Sequence, residues 1–179
     1  LDISPDMLAQ AKKLNPQCSF IECDMREFNL NKKFDIVFID DGLAYITAKE
    51  DLGRVFQRCL QHVNKGGLLI MTPEATKERF VQNHTEIFYS TPHQEYPDTE
   101  IVYIENLYDP DPEDTTMEST HVYFIRQNGE LTIETDKHKL GLFSISEWEE
   151  ILAEMNISIK RENYSENGHE YLIFFCLKL

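Results

Sequence analysis

An α/β fold with a mostly parallel sheet is what this sequence predicts, and three observations predict it. Phe34-Asp35-Ile36-Val37-Phe38-Ile39 and Leu68 to Met71 are nearly continuous apolar runs with a helical pattern between them, as buried neighbouring strands should be. From about Phe88 to Leu142, polar residues alternate with aromatic or β-branched ones, which predicts an antiparallel insert. Helical periodicity then returns in "LFSISEWEEILAEMN" and gives way to two short apolar runs, an antiparallel terminal hairpin.

Each element has its own signal. Leu1-Asp2-Ile3 reads as the end of a strand. Ser4 caps a helix with Pro5 and Asp6 in its first turn. Met7, Leu8, Ala11 and Leu14 form its apolar stripe, and Asn15-Pro16 ends it. Cys18 to Glu22 is a short strand. Thr47 and Glu50 make a T-x-x-E capping box for a helix carrying Leu52, Val55, Phe56, Cys59, Leu60 and Val63. "NKGG" breaks the chain before the strand Leu68 to Met71, and a short helix is expected over Ala75 to Val81. In the insert, "EIVYIENLY", "ESTHVYFIR" and "ELTIETDKHK" are strands, "DPDPED" and "QNGE" are turns, and Asn128-Gly129 is a strong hairpin signal. Ser144 and Glu147 cap the next helix, whose buried side holds Leu152, Met155 and either Ile151 or Trp148. Ile157 to Glu162 and Tyr171 to Leu177 pair around "SENGHE".

The length of 179 residues suits one domain, 1–179, with the insert at 86–142. The net charge is −15, from 17 basic and 32 acidic residues. Without a Lys/Arg cluster, that balance repels phosphate backbones, so nucleic-acid and membrane-surface partners are not expected. Cys18, Cys23, Cys59 and Cys176 lack metal-ligand spacing and read as buried, reduced thiols of a cytoplasmic protein. His62, His84, His93 and His169 have no partners at metal spacing, so no metal site is expected.

Ligands of open α/β sheets bind beyond the carboxyl ends of the strands. Asp2, Asp24, "DDGLAYI" and "TPE" all fall there. The Asp2 carboxylate suits the two hydroxyls of a ribose, or simply caps its turn. Asp24 suits an exocyclic adenine amine, with Met25 against the ring, or is an ordinary acidic loop residue. Asp2 taken alone fits the ribose of NAD as well, so an NAD-dependent oxidoreductase is an alternative.

"LDISPDMLAQA", "CDMREFNLNKKFDIVFIDDGLAYI" and "VNKGGLLIM" together resemble class I S-adenosylmethionine-dependent methyltransferases of the small-molecule type, nearest the glycine and amino-sugar N-methyltransferases. "HKLGLFSISEWEEILAEMNI" is similar to the block that such enzymes carry before a terminal hairpin. The resemblance implies a Rossmann-like methyltransferase sheet with a C-terminal antiparallel hairpin and an antiparallel β insert that forms the acceptor pocket. It implies S-adenosylmethionine as cofactor, S-adenosylhomocysteine as product and a small N or O nucleophile as acceptor. Asp2 then holds the ribose, Ile3 flanks the adenine, Asp24 takes the adenine amine and Met25 packs on the base. Asp40 and Asp41 stand where the methionine part passes, and Tyr45 lies in the loop over it. The family's first strand, its D-x-G-x-G-x-G loop and its first helix are expected before Leu1 and are absent from this sequence. That keeps open a non-catalytic binding or regulatory subunit. It also leaves the sheet without its central strand, with a hydrophobic slot beside it.

In the insert, His121 within "STHVYFIR" is chemically apt as a base. His138, in "DKHKLGLF", resembles a family His that orients the insert or contacts the acceptor. A His satisfied within a sheet is the alternative for His121. Tyr45 joins His121 and His138 as a catalytic candidate, and Tyr45, Tyr103, Tyr108 and Tyr123 are further pocket candidates, with hairpin packing as the alternative for aromatic residues at period two. The sequence allows a homodimer.

Overall fold

The computed structural model describes residues 1–40, 42–90, 96–166 and 169–179. In chain order its elements are α1 (Pro5–Leu14), β1 (Phe34–Asp40), α2 (Lys49–Gln61), β2 (Val63–Thr72), β3 (His84–Tyr89), β4 (Thr99–Tyr108), β5 (Thr116–Gln127), β6 (Glu130–Gly141), α3 (Ile145–Ala153), β7 (Ile157–Glu166) and β8 (His169–Lys178). They fall into two compact units, Leu1–Glu74 with Ser146–Leu179, and Ala75–Ile145.

The first unit holds a sheet in the order β1-β2-β8-β7. β1 and β2 run parallel, and the terminal hairpin β7–β8 joins β2 antiparallel, so the sheet is mixed rather than mostly parallel. Strand alternation sends Leu69, Met71, Phe174 and Cys176 to one face, where all are fully buried. Leu52, Val55 and Phe56 of α2 and Trp148 and Leu152 of α3 are buried too. The Trp148 ring stacks on Phe174 with centroids 5.7 Å apart and meets Phe56 at 5.4 Å. Burying each of these large side chains stabilises the fold by about 1.5–3 kcal/mol. The other face of β1 presents Ile36 and Phe38, 57% and 59% exposed, at an edge that pairs with no strand among the described residues.

The second unit is an antiparallel meander in the order β3-β4-β5-β6. Asn128 and Gly129 turn β5 into β6 with φ of 51° and 85°, the pair of left-handed residues that a tight two-residue hairpin requires. β3 is one strand more than the sequence pattern predicts.

Several local expectations are corrected. Cys18 to Glu22 is not a strand; only Glu22 pairs, in an isolated parallel bridge with Asp2. No helix forms over Ala75–Val81; Thr76 instead bridges Phe143, and the backbone of Lys77 donates to Phe143 O. α2 starts behind Ala48, one residue after the expected cap, with no side-chain cap bond. "NKGG" does not break the chain but lies inside β2, where the register against β1 shifts between Phe34↔Val63 and Ile36↔Leu68. Gly66 takes φ 77°, and a Cβ on Gly67 would sit 2.6 Å from the carbonyl oxygen of Asp35. The two glycines are thus demanded by a bulge. No residue of the α1 stripe is buried: Met7 is 61% and Leu14 77% exposed, while Leu8 and Ala11 are half-buried, although Ser4 does cap the helix, its Oγ accepting from Met7 N–H at 3.3 Å. Of the four thiols only Cys59 and Cys176 are buried; burial pushes both up to about 12, while Cys18 is exposed.

Candidate functional site

Three loops of the first unit lie side by side, two of them at the isolated Asp2–Glu22 bridge and one at the carboxyl end of β1. Asp2 N–H donates to Ile21 O at 3.2 Å and Cys23 N–H donates to Asp2 O at 2.9 Å, which sets Asp2 beside the Asp24 loop. A Cβ on Gly42 would lie 3.2 Å from Met25 Cε, so the thioether of Met25 fills the space that Gly42 leaves in the next loop. Asp40 ends β1 in register with Thr72 of β2, and the Thr72 hydroxyl donates to Asp40 Oδ1. Asp2, Asp24, Met25 and Asp40 are therefore brought to neighbouring loops. Asp41 lies outside the described residues. Tyr45 ends a short 3₁₀ turn, Leu43–Tyr45, and is 60% exposed. Ile3 is 69% exposed. An open depression of about 380 Å³, lined by Leu68, Phe175, Leu177 and three polar residues of β7, contains none of these candidates.

The two leading carboxylates differ in availability. Asp2 Oδ1 accepts the Ser4 N–H at 2.8 Å, an Asx turn that fixes the side chain at the strand-to-helix corner. Its Oδ2 has no partner among the described residues. The capping and ribose roles of Asp2 are thus compatible, one oxygen for each. Asp24 is engaged at both oxygens: Oδ1 accepts from Arg26 N–H and Nε, and Oδ2 from Nε and, at 2.5 Å, Nη2. The guanidinium beside it holds the Asp24 carboxyl below its usual range, and Arg26 in turn is raised by Asp24 and Asp51. Arg26 reaches Asp51 of α2 at 3.2 Å, so a helix anchors the loop that carries Asp24.

Behind these loops His62 is 4% exposed. Its Nε2 accepts Leu30 N–H at 2.9 Å and its Nδ1–H donates to Arg58 O at 2.7 Å, which fixes a neutral tautomer. The ring also packs on Phe28 at 4.5 Å. This histidine is a latch between the 28–31 loop and α2.

The second unit assembles its own polar group. Strand register places His121 opposite Glu105 on β4 and Asp136 on β6. Ser119 Oγ–H donates to Glu105 Oε1 at 2.7 Å and lies 2.6 Å from His121 Nε2. His121 Nδ1 lies 3.1 Å from Tyr123 Oη, and the ring of His138 is 4.7 Å away. His138 Nε2 faces Asp136 at 3.3 Å. Phe88, Tyr103 and Tyr123 stack across three strands at 5.1 Å spacings. His121 and His138 are thus brought together on one sheet face, with Tyr103 and Tyr123; Tyr108 is not among these contacts. Sequence reading missed Glu105 and Ser119. Ser119 was within reach, two residues before His121 on the same side of a strand; Glu105 becomes adjacent only through register.

This geometry is a Rossmann-like fold shared with S-adenosylmethionine-dependent methyltransferases of known structure. Residues 1–67 match the family model described as a methyltransferase domain. The chain is 32% identical over 81 residues to a dTDP-3-amino-3,4,6-trideoxy-α-D-glucopyranose N,N-dimethyltransferase of Streptomyces venezuelae, covering 45% of this chain and 34% of that protein. Its fold superposes on the crystal structure of Streptomyces venezuelae DesVI with a TM-score of 0.85 at 19% identity, over 99% of this chain and 72% of that one. It superposes on the S-adenosylmethionine-bound amino pentose methyltransferase CalS10 of Micromonospora echinaspora with a TM-score of 0.80 at 16% identity, over 97% and 71%. The chain spans about a third of the length of the curated relatives it matches.

Proposed function

We propose that this chain carries the adenosyl-binding and acceptor-binding parts of an S-adenosylmethionine-dependent N-methyltransferase whose acceptor is a small amine, an amino sugar above all. The observation that carries the reading is the contiguity of the Asp2, Asp24–Met25 and Asp40–Gly42 loops, with one oxygen of Asp2 left for a ligand. When bound, the cofactor supplies an electrophilic methyl group on a cationic sulfur. Asp2 Oδ2 accepts from the ribose hydroxyls, a charge-assisted pair of bonds. Met25 offers its thioether to the adenine face. Asp24, saturated by Arg26, is the weaker candidate for the adenine amine, so affinity rests on Asp2. Asp40 stands at the strand end toward the methionyl part.

In the second unit the aromatic ladder and the carboxylates Glu105 and Asp136 suit a cationic amine, attracted by π faces and by charge. His121 serves the proton that an ammonium acceptor must lose before its lone pair can attack. The amino-sugar acceptor follows the activity named for the Streptomyces venezuelae relative. The same proposal places the protein in the cytoplasm and allows a homodimer. No described helix is long and apolar enough to cross a membrane.

The test is methyl transfer from S-adenosylmethionine to a dTDP-3-amino sugar, followed by formation of S-adenosylhomocysteine, beside calorimetry with S-adenosylhomocysteine and with NAD. Transfer and binding of the homocysteine nucleoside are expected. Binding of NAD alone would return the chain to the oxidoreductase alternative, and nucleoside binding without transfer to a non-catalytic subunit.

A further inference from the structure

His121 is not free to touch an acceptor, because both of its ring nitrogens are engaged. The single hydroxyl proton of Ser119 goes to Glu105 Oε1 at 2.7 Å, since a carboxylate only accepts. Ser119 Oγ must then accept at its 2.6 Å contact, so His121 carries its proton on Nε2. That leaves the Nδ1 lone pair to accept from the Tyr123 hydroxyl at 3.1 Å. The chain of bonds therefore runs in one direction, from Tyr123 through His121 and Ser119 to Glu105. The lone pairs of the Tyr123 phenolic oxygen have no partner among the described residues.

We infer that Tyr123 is the catalytic residue that touches the acceptor amine, and that Ser119 and Glu105 are positioning residues that hold His121 in the tautomer able to take its proton. The inference rests on the methyltransferase reading above and names the groups that serve its acceptor. The proton step balances without a further reagent. An N–H bond of the acceptor ammonium breaks, its electron pair stays on nitrogen as the attacking lone pair, and the proton joins the Tyr123 oxygen. The original Tyr123 proton passes to His121 Nδ1. The resulting imidazolium faces the Glu105 carboxylate, with Nε2 to Oε1 at 3.6 Å. The groups facing His121 from neighbouring strands are Glu105 and Tyr103 on β4 and Asp136 and His138 on β6. Three of these side chains favour or tolerate the charge, while a cationic His138 would oppose it; Asp136 lies against His138 and offsets that.

The experiment has two arms. Nitrogen-15 NMR of the full chain reads the His121 tautomer without any activity. The Nε2–H form is expected in the wild type and in Tyr123→Phe, with the preference lost in Ser119→Ala. An Nδ1–H tautomer in the wild type would overturn the relay. In the second arm, transfer to the dTDP-3-amino sugar is measured against pH. Tyr123→Phe should lower kcat about 100-fold near neutrality while acceptor KM moves less than about threefold, in the range of general-base effects. The deficit should shrink at alkaline pH, where the amine is already neutral. Glu105→Gln should show a smaller deficit with the same alkaline rescue. Unchanged kcat in Tyr123→Phe, or a deficit equal at every pH, would overturn the role of Tyr123. A wild type that transfers to no amine would overturn the methyltransferase reading and Tyr123's role with it, while the NMR arm judges the relay separately.

Discussion

The two units hold their candidate residues by different means. In the first, each carboxylate is fixed by its own neighbours: Asp2 by the Ser4 N–H two residues on, Asp24 by Arg26 two residues on. In the second, His121 is fixed by Glu105, sixteen places earlier in the chain and opposite it only through strand register, and by Ser119 and Tyr123 on its own strand. Local capping makes a site robust to changes elsewhere in the fold. Register makes it dependent on the whole sheet, but it allows a connected chain of hydrogen bonds that no loop of this length supplies.

The largest expected effect separates these two supports. His121→Ala should lower methyl transfer about 100-fold, as loss of a positioned acid–base group does, while affinity for S-adenosylhomocysteine stays within about twofold. A matching fall in nucleoside affinity would show that the two groups are not divided as described. Next in size, His62→Ala should cost about 1–3 kcal/mol of stability by chemical denaturation, because Leu30 N–H would lose its acceptor behind the loops of the first unit. Stability within 0.5 kcal/mol or so of wild type, the ordinary range for surface changes, would remove the latch.

A smaller effect concerns acid. Asp24 is held below its usual range by Arg26. Its contribution to stability is therefore present above the unfolded carboxyl value near 3.9 and is lost as pH falls through the lower folded value. Because the pair is partly exposed, the effect is modest. Arg26→Ala should lose stability mainly above about pH 4, and its deficit should close as the wild type is acidified. A deficit independent of pH would mean that Arg26 acts through packing. Smallest, Ser4→Ala should cost about 0.5–1 kcal/mol, the low end for an N-cap, because α1 buries none of its residues.

The same contrast explains what was legible in the sequence. Ser4-Pro5-Asp6, Asn128-Gly129 and the terminal helix were readable because caps, turns and periodicity are local. The positions of Asp2 and Asp24 on adjacent loops rest on one isolated bridge rather than on the strand that the sequence predicts at Cys18 to Glu22. β3 was not readable, since "HTEIFY" is short and gains its definition only by pairing with Leu107 to Val102. "NKGG" misled because two glycines signal a turn, whereas here one relieves a positive φ and the other a close carbonyl within a strand. The stripe of α1 obeys helical periodicity, yet none of its residues is fully buried among the described residues. Glu105 required the register of β4 against β5, information that lies in the pairing rather than in either strand.

Calorimetric titration of S-adenosylhomocysteine into wild type and Asp2→Asn tests the proposed contact of Asp2 with the cofactor ribose. Asn keeps a side-chain oxygen for the Ser4 N–H but loses the charge, and hydrogen bonds to a charged group are each worth about 1.5–3 kcal/mol. Binding by the wild type and a loss of roughly 10–100-fold in the variant are expected, with unfolding stability little changed. Equal affinity in the two proteins would contradict that contact.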